Sequence, residues 1–268
     1  MILAGAAEAA EYHSTTQVAI AAFPEGAQVI WEPEWRFSLS DSEGVLFKDA
    51  HIALIPHVEV TPSFPRGGPI VRFAPIAFWD AAIRLQGTWF WGAFSSLLPL
   101  ESPTIAATRA EKRALIAAGE RQGGWALRLD LTTRLKMKVG PLIALAEFEA
   151  RRHHVETWHT EMAWFWEPTE NLNLPADGWS IHRNLYVLGE AVKPADPADR
   201  KLWMGAYGTW ASCAATEDRN IRLGPLVMWH PTPGYTMPTF LIGSQVWIDS
   251  RFAPTLPPYT FLAANWSR

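Results

Sequence analysis

The stretch WALRLDLTTRLKMKV, Trp125 to Val139, decides the fold. Trp125, Leu127, Leu129, Leu131, Thr133, Leu135, Met137 and Val139 fall on one side of an extended chain; Arg128, Asp130, Thr132, Arg134, Lys136 and Lys138 fall on the other. Wound as a helix, the segment would carry charge on every face, so it reads as a strand. At 15 residues it is long beside the ~5–6 of an average strand and longer than the ~9–11 that cross a bilayer at a tilt. Gly140-Pro141 then makes a tight reversal, and Leu142 to Arg151 runs back.

Working outward, the same period recurs. Val29, Trp31, Pro33, Trp35, Phe37 and Leu39 oppose Glu32, Glu34 and Arg36, and Ile52, Leu54, Pro56, Val58 and Val60 oppose His51, His57, Glu59 and Thr61. Ile221 to Trp229 and Phe240 to Ile248 form further apolar rows. Twelve strands follow, near 12–23, 27–39, 46–62, 70–79, 83–97, 124–139, 142–166, 179–192, 201–214, 220–230, 238–250 and 259–267. Pro33, Pro56, Pro75 and Pro225 lie inside such rows and interrupt the ladder, because each lacks an N–H. In the longest connection, Pro99 to Gly123, Thr108-Arg109-Ala110-Glu111 is a capping box and Gly119 a natural C-cap, which predicts one short helix at a rim or in a plug. The expected organisation is one domain over 12–268, preceded by residues 1–11 as a flexible N-terminus or the remnant of an export segment.

Composition narrows the partners. With 23 Lys and Arg against 27 Asp and Glu, spread along the chain, nucleic acid is excluded as a partner. A single cysteine, Cys213, excludes an intrachain disulfide and multi-thiolate zinc sites. Acidic or basic residues interrupt nearly every hydrophobic stretch, which excludes helical membrane spans but not a closed barrel. The anomaly is 15 Trp and 13 Phe. Trp31, Trp35, Trp79, Trp89, Trp91, Trp125, Trp164, Trp166, Trp179, Trp229 and Trp266 gather near predicted strand ends, where indole anchors at a headgroup level.

Long alternating strands with aromatic ends resemble the Gram-negative outer-membrane β-barrel proteins. The resemblance spans residues 12–268 and rests on pattern; Trp266 stands in for the aromatic residue that ends the last strand in that class, with Ser267 and Arg268 after it. It implies an all-β, antiparallel up-and-down transmembrane barrel in an outer membrane, with membrane lipid as a partner. The functional expectation is a porin-like channel for small polar solutes, with no cofactor. Pore-lining candidates are Glu32, Glu34, Arg36, Arg128, Asp130, Arg134, Lys136, Lys138, Glu147 and Glu149, because the polar side of each row then faces the lumen. Glu substitutions at Arg134 and Lys136 are expected to reverse the ion preference of such a pore.

Two alternatives remain. A soluble all-β binder of sugars or apolar ligands would turn the apolar rows inward. A lipid-modifying enzyme of the outer membrane would pair Ser with His two residues apart on a lipid-facing strand; His13-Ser14 is adjacent, and His182-Arg-Asn184 offers no serine. In Arg151 to His159, His154 and Glu156 share one face and His153, Thr157 and His159 the other, which reads as solvated rim histidines, with no metal site expected.

Overall fold

A computed structural model of the protein describes residues 10–22, 25–42, 44–92, 97–104, 114, 117–119, 122–158, 162–167, 171–192, 201–231, 237–250 and 257–267. The first half of the wall is β1 (Glu11–Ala22), β2 (Glu25–Ser38), β3 (His51–Val60), β4 (Pro65–Ile76) and β5 (Trp79–Phe90). A short β6 (Leu98–Leu100) precedes the long hairpin β7 (Gly124–Val139) and β8 (Leu142–Thr157). Two more short strands, β9 (Trp164–Glu167) and β10 (Leu172–Pro175), precede β11 (Asp177–Val192), β12 (Lys201–Cys213), β13 (Asp218–His230), β14 (Thr239–Ser250) and β15 (Tyr259–Ser267). Twelve of these strands form one closed antiparallel barrel, and β10-β9-β6 form a separate three-stranded sheet. Closure runs from Thr15 opposite Ser267 to Ala21 opposite Phe261, so the wall has no free edge to recruit another chain.

Side-chain direction follows the pleat. On β7, Leu135 and Met137 are 55% and 61% exposed, whereas Asp130 and, beside it on β5, Gln86 are 0% exposed. Apolar rows outside and charged rows inside invert the order of a soluble protein, and this is the arrangement of an outer-membrane β-barrel. It overturns the soluble-binder alternative, because water would meet the whole apolar wall. Lipid is the solvent that makes such a surface stable.

Strand direction puts both described ends, the Ala77-Phe78 turn and Gly140-Pro141 on one rim, the terminal rim. β5 ends and β7 starts on the opposite rim, as do the end of β8 and the start of β11, and β6, β9 and β10 fall in these two connections. Aromatic pairs mark both rims. Tyr12 and Trp35 (5.8 Å), Phe73 and Trp79 (6.2 Å) and Trp229 and Phe240 (5.5 Å) lie towards the terminal rim. Towards the other, Trp89 meets Trp158 (5.3 Å), Trp125 meets His154 (5.7 Å) and Trp91 Nε1 donates to the Pro62 carbonyl at 2.7 Å. Trp164 and Trp166 are not girdle residues; both belong to β9.

The expected strand 142–166 is therefore two strands, β8 ending at Thr157 and β9 starting at Trp164. The fourth and fifth strands lie earlier than their apolar rows suggested, separated by Ala77-Phe78. Prolines sit where pairing lapses: no β3 partner faces Pro33, and no β14 partner faces Pro225. The capping box Thr108 to Glu111 lies outside the described residues, as do residues 1–9. Downstream of the box, the Ala118 N–H donates to the Ala114 carbonyl at 2.8 Å and Gly119 has φ 85°, as a helix C-terminus requires.

Candidate functional site in the lumen

The inner wall has two chemically distinct sectors. Along β2, β3, β4, β5, β7 and β8, most inward polar positions are ionic, and they surround a small buried apolar cluster of Ala53, Ile55, Ile70 and Ala82. Arg36 Nε donates to Glu34 Oε1 at 2.8 Å, and Arg72 reaches the same carboxylate at 3.4 Å. His57 lies 2.8 Å from Glu32 and 3.6 Å from Glu59, which also faces Arg66 at 3.4 Å. Asp130 stands between Arg128 at 3.0 Å and Arg84 at 3.8 Å, and Arg128 also donates to Gln86 at 2.7 Å. Arg134 pairs with Glu147 at 2.6 Å, Lys136 with Asp80 at 2.5 Å, and Arg151 with Glu149. Alternation makes this ladder: opposite charges fall on adjacent strands at matching register, as Arg134 opposite Glu147 and Arg84 opposite Asp130 show.

The second sector, β11 to β15 with β1, is mostly small, amide-bearing or aromatic inside; its one deeply placed guanidinium among the described residues, Arg222, donates from Nε to Thr209 Oγ1 at 3.0 Å and lies 4.9 Å from the Tyr259 ring centroid. Tyr186 and Tyr207 stack at 4.3 Å with an interplanar angle of 12°, and Phe261 meets Tyr207 edge-on at 6.4 Å. Gln245 is fully buried, and its Nε2 donates to the Tyr207 carbonyl at 3.0 Å. Gly243 is needed here because a Cβ would stand 2.4 Å from the Phe261 ring. Between the two sectors lies a cavity of about 690 Å³. Tyr186, Tyr207, Phe261, Ala19 and Ala263 border it on the neutral side, with Glu59 and Arg66 on the charged side. Leu188, Trp203 and Leu226 form a buried apolar cluster on the neutral sector towards the terminal rim.

The sheet β10-β9-β6 occupies the mouth opposite the termini. Leu97, Phe165, Leu172 and Leu174 pack against the inward Ala126, Val155, Ala211 and Cys213 of the wall. Polar contacts fix β10: the Asn173 N–H donates to Asp218 Oδ2 at 2.8 Å, Thr216 Oγ1 donates to the Asn173 carbonyl at 2.8 Å, and Asn220 Nδ2 donates to the Asn171 carbonyl. These bonds satisfy backbone groups of a strand that is otherwise buried away from water.

All ten candidates read from the sequence lie on β2, β7 or β8. Nine of them join the ionic ladder; Lys138, exposed near the Gly140-Pro141 turn, stays outside it. Asp80 and Gln86 were missed although the alternation through Arg84 already places them inside. Arg66 was missed because β4 starts five residues earlier than expected, and the inward aromatics because an inward position was expected to be polar.

Ser180 was missed as well. It lies two residues before His182 on β11, with Oγ 2.9 Å from Nε2, so the statement that no serine accompanies His182 is corrected. Ser180 and His182 are 1% and 4% exposed and face the lumen beneath β9 and β10. A lipid-facing nucleophile, which the enzyme alternative requires, is not what this pair supplies. In the 151–159 cluster, His153 points inward, while His154 is on the outer rim, 3.0 Å from Glu156 and 3.5 Å from Asp177.

No protein-family model matches the chain, and no curated protein matches it. Among solved structures, the β domain of the Bordetella autotransporter BrkA is similar at 10% identity and TM-score 0.45, over 97% of this chain and 99% of that one. The translocator domain of the autotransporter NalP from Neisseria meningitidis is similar at 8% identity and TM-score 0.39, over 96% and 86%. A loop-deletion mutant of OmpT, an outer membrane protein of Vibrio cholerae, is similar at 6% identity and TM-score 0.32, over 96% and 98%.

Proposed function

We propose that this barrel resides in the outer membrane of a Gram-negative bacterium and conducts small polar solutes through a narrow passage along its neutral sector. The observation that carries the reading is the division of the lumen. The ionic ladder occupies one side with paired opposite charges, whereas the side lined by Ala19, Ala263, Tyr186, Tyr207 and Phe261 leaves about 690 Å³ unfilled. A solute passing there meets the Tyr186–Tyr207 stack as its constriction, with Arg66 and Glu59 setting the local field. The sheet β10-β9-β6 restricts the mouth, so the reading is of low conductance rather than of a wide pore.

Planar-bilayer recording tests this. Wild-type protein gives a small, steady conductance, and Tyr207→Ala raises it by widening the constriction. Equal silence from wild type and Tyr207→Ala, with both barrels shown folded by heat-dependent gel migration, overturns the proposal.

A further inference from the structure

Arg183 breaks the pattern of the outer wall. It is exposed on β11, six residues from Asp177 and nine from Val192, with outward Leu185 and Val187 on one side and Ile181 and Trp179 on the other. A charge on the lipid face of a barrel is among the costliest placements available, and most so away from the interfaces. Other outward guanidiniums sit at the rim with acids: Arg152 with Asp177 at 2.9 Å and Arg219 with Asp249 at 2.7 Å. Arg183 has no carboxylate partner among the described residues. Its guanidinium carbon lies 4.0 Å from the Trp210 ring centroid and 5.7 Å from that of Phe148.

Those two aromatics are its own cross-strand neighbours. The guanidinium therefore stays in its row and does not reach up to the Trp179 level, which is four residues or roughly 13 Å further along the strand. Beside it, an external groove of about 510 Å³ runs between Trp79, Leu135, Ala146, Leu185 and Trp210. Trp79 Nε1 donates to Thr133 Oγ1 at 2.8 Å, which fixes one end of that groove.

We infer that Arg183 and this groove bind a phosphate-bearing membrane lipid, the phosphate on the guanidinium and one acyl chain in the groove. The apolar lining matches a hydrocarbon chain. The unpaired planar cation matches a phosphate, which takes two parallel N–H bonds, and stacking on Trp210 holds the donors in place before the lipid arrives. The site is on the opposite face of the wall from the lumen and is independent of whether the barrel conducts.

The test is native mass spectrometry of the whole protein, released from neutral detergent after incubation with dioleoyl phosphatidylglycerol. Wild type retains one lipid, and Arg183→Gln lowers that occupancy by about 10-fold, the loss of one charge-assisted contact. Arg183→Lys retains an intermediate fraction, and the rim variant Arg219→Gln behaves as wild type. Dioleoylglycerol, which lacks the phosphate, is not retained. Equal retention by Arg183→Gln, or equal retention of dioleoylglycerol, overturns the site. Displacement of the lipid by millimolar inorganic phosphate overturns the lipid as its occupant. Heat-dependent gel migration confirms that each variant is folded, and an outward position makes folding failure easy to separate from lost binding.

Discussion

The ionic sector and the neutral sector of the lumen solve the same packing problem in opposite ways. On β2, β3, β4, β5, β7 and β8 the interior is filled by long charged side chains paired with one another around the apolar cluster of Ala53, Ile55, Ile70 and Ala82, so removing one charged member strands its partners in a low-dielectric space. On β11 to β15 and β1 the interior is filled mostly by rings, amides and small residues, with Arg222 as the one buried guanidinium among the described residues, held on Thr209 and Tyr259, and this looser filling leaves a cavity. The lesson is that a small barrel can be filled on one side and hollow on the other, because ion pairs take up the space between facing strands while small residues leave it open.

The largest test of this contrast is Asp130→Ala. The carboxylate is fully buried between Arg128 and Arg84, and its loss leaves two guanidiniums facing each other. Stability is expected to fall by about 3–5 kcal/mol, measured by urea unfolding in lipid vesicles with Trp fluorescence. The matching variant in the neutral sector, Gln245→Ala, removes one neutral donor to the Tyr207 carbonyl and is expected to cost about 1–2 kcal/mol. Equal losses would show that the two sectors are held by the same kind of force.

Next comes the sheet in the mouth. Asp218 accepts from the Asn173 N–H at 2.8 Å and the Arg219 N–H at 3.0 Å, so Asp218→Ala releases β10 from the wall at a cost of about 1.5–3 kcal/mol. Conductance is expected to rise and become noisier in planar bilayers; an unchanged trace would mean that the sheet lies beside the passage. Smaller still is Gly243→Ala. Its new methyl must push the Phe261 ring aside, into the cavity, at about 1–3 kcal/mol. Conductance then falls although the substitution adds one carbon, the opposite sign to Asp218→Ala.

Which parts of this were legible beforehand follows from periodicity. β7 announces itself because its two faces differ at almost every position, and the ionic sector inherits that clarity: alternation put Glu32, Glu34, Arg36, Arg134 and Glu147 on the polar faces, and the resemblance to a membrane barrel turned those faces inward. On β12, KLWMGAYGTWASC, both faces are apolar or small, so the strand was found but its inward Trp203 and Tyr207 were not. β6, β9 and β10 span three or four residues each, too short for any period, and Trp164 to Trp166 was absorbed into the preceding strand. Arg183 was visible as a charge on an apolar row. Its meaning required knowing that Phe148 and Trp210 flank it across strands, a fact of register and not of local sequence.

The smallest effect separates charge that is present from charge that acts. Arg134 and Glu147 are joined at 2.6 Å, and Asn184 Nδ2 also donates to Glu147 at 2.8 Å. Reversing Arg134 and Lys136 to Glu would confront Glu147 and Asp80 with two further acids, so lost folding would obscure any change in selectivity. Neutralising the pair together, Arg134→Gln with Glu147→Gln, removes one charge of each sign at one place and keeps the shapes. The reversal potential in a salt gradient is then expected to stay within a few millivolts of wild type, because a closed pair presents little net field to a passing ion. Arg66→Gln, by contrast, removes the guanidinium that faces Glu59 at the cavity, leaves that carboxylate paired with His57, and shifts the potential towards cation preference. If the double variant shifts the potential as far as Arg66→Gln, the ionic ladder borders the solute path and the two sectors of the lumen conduct together.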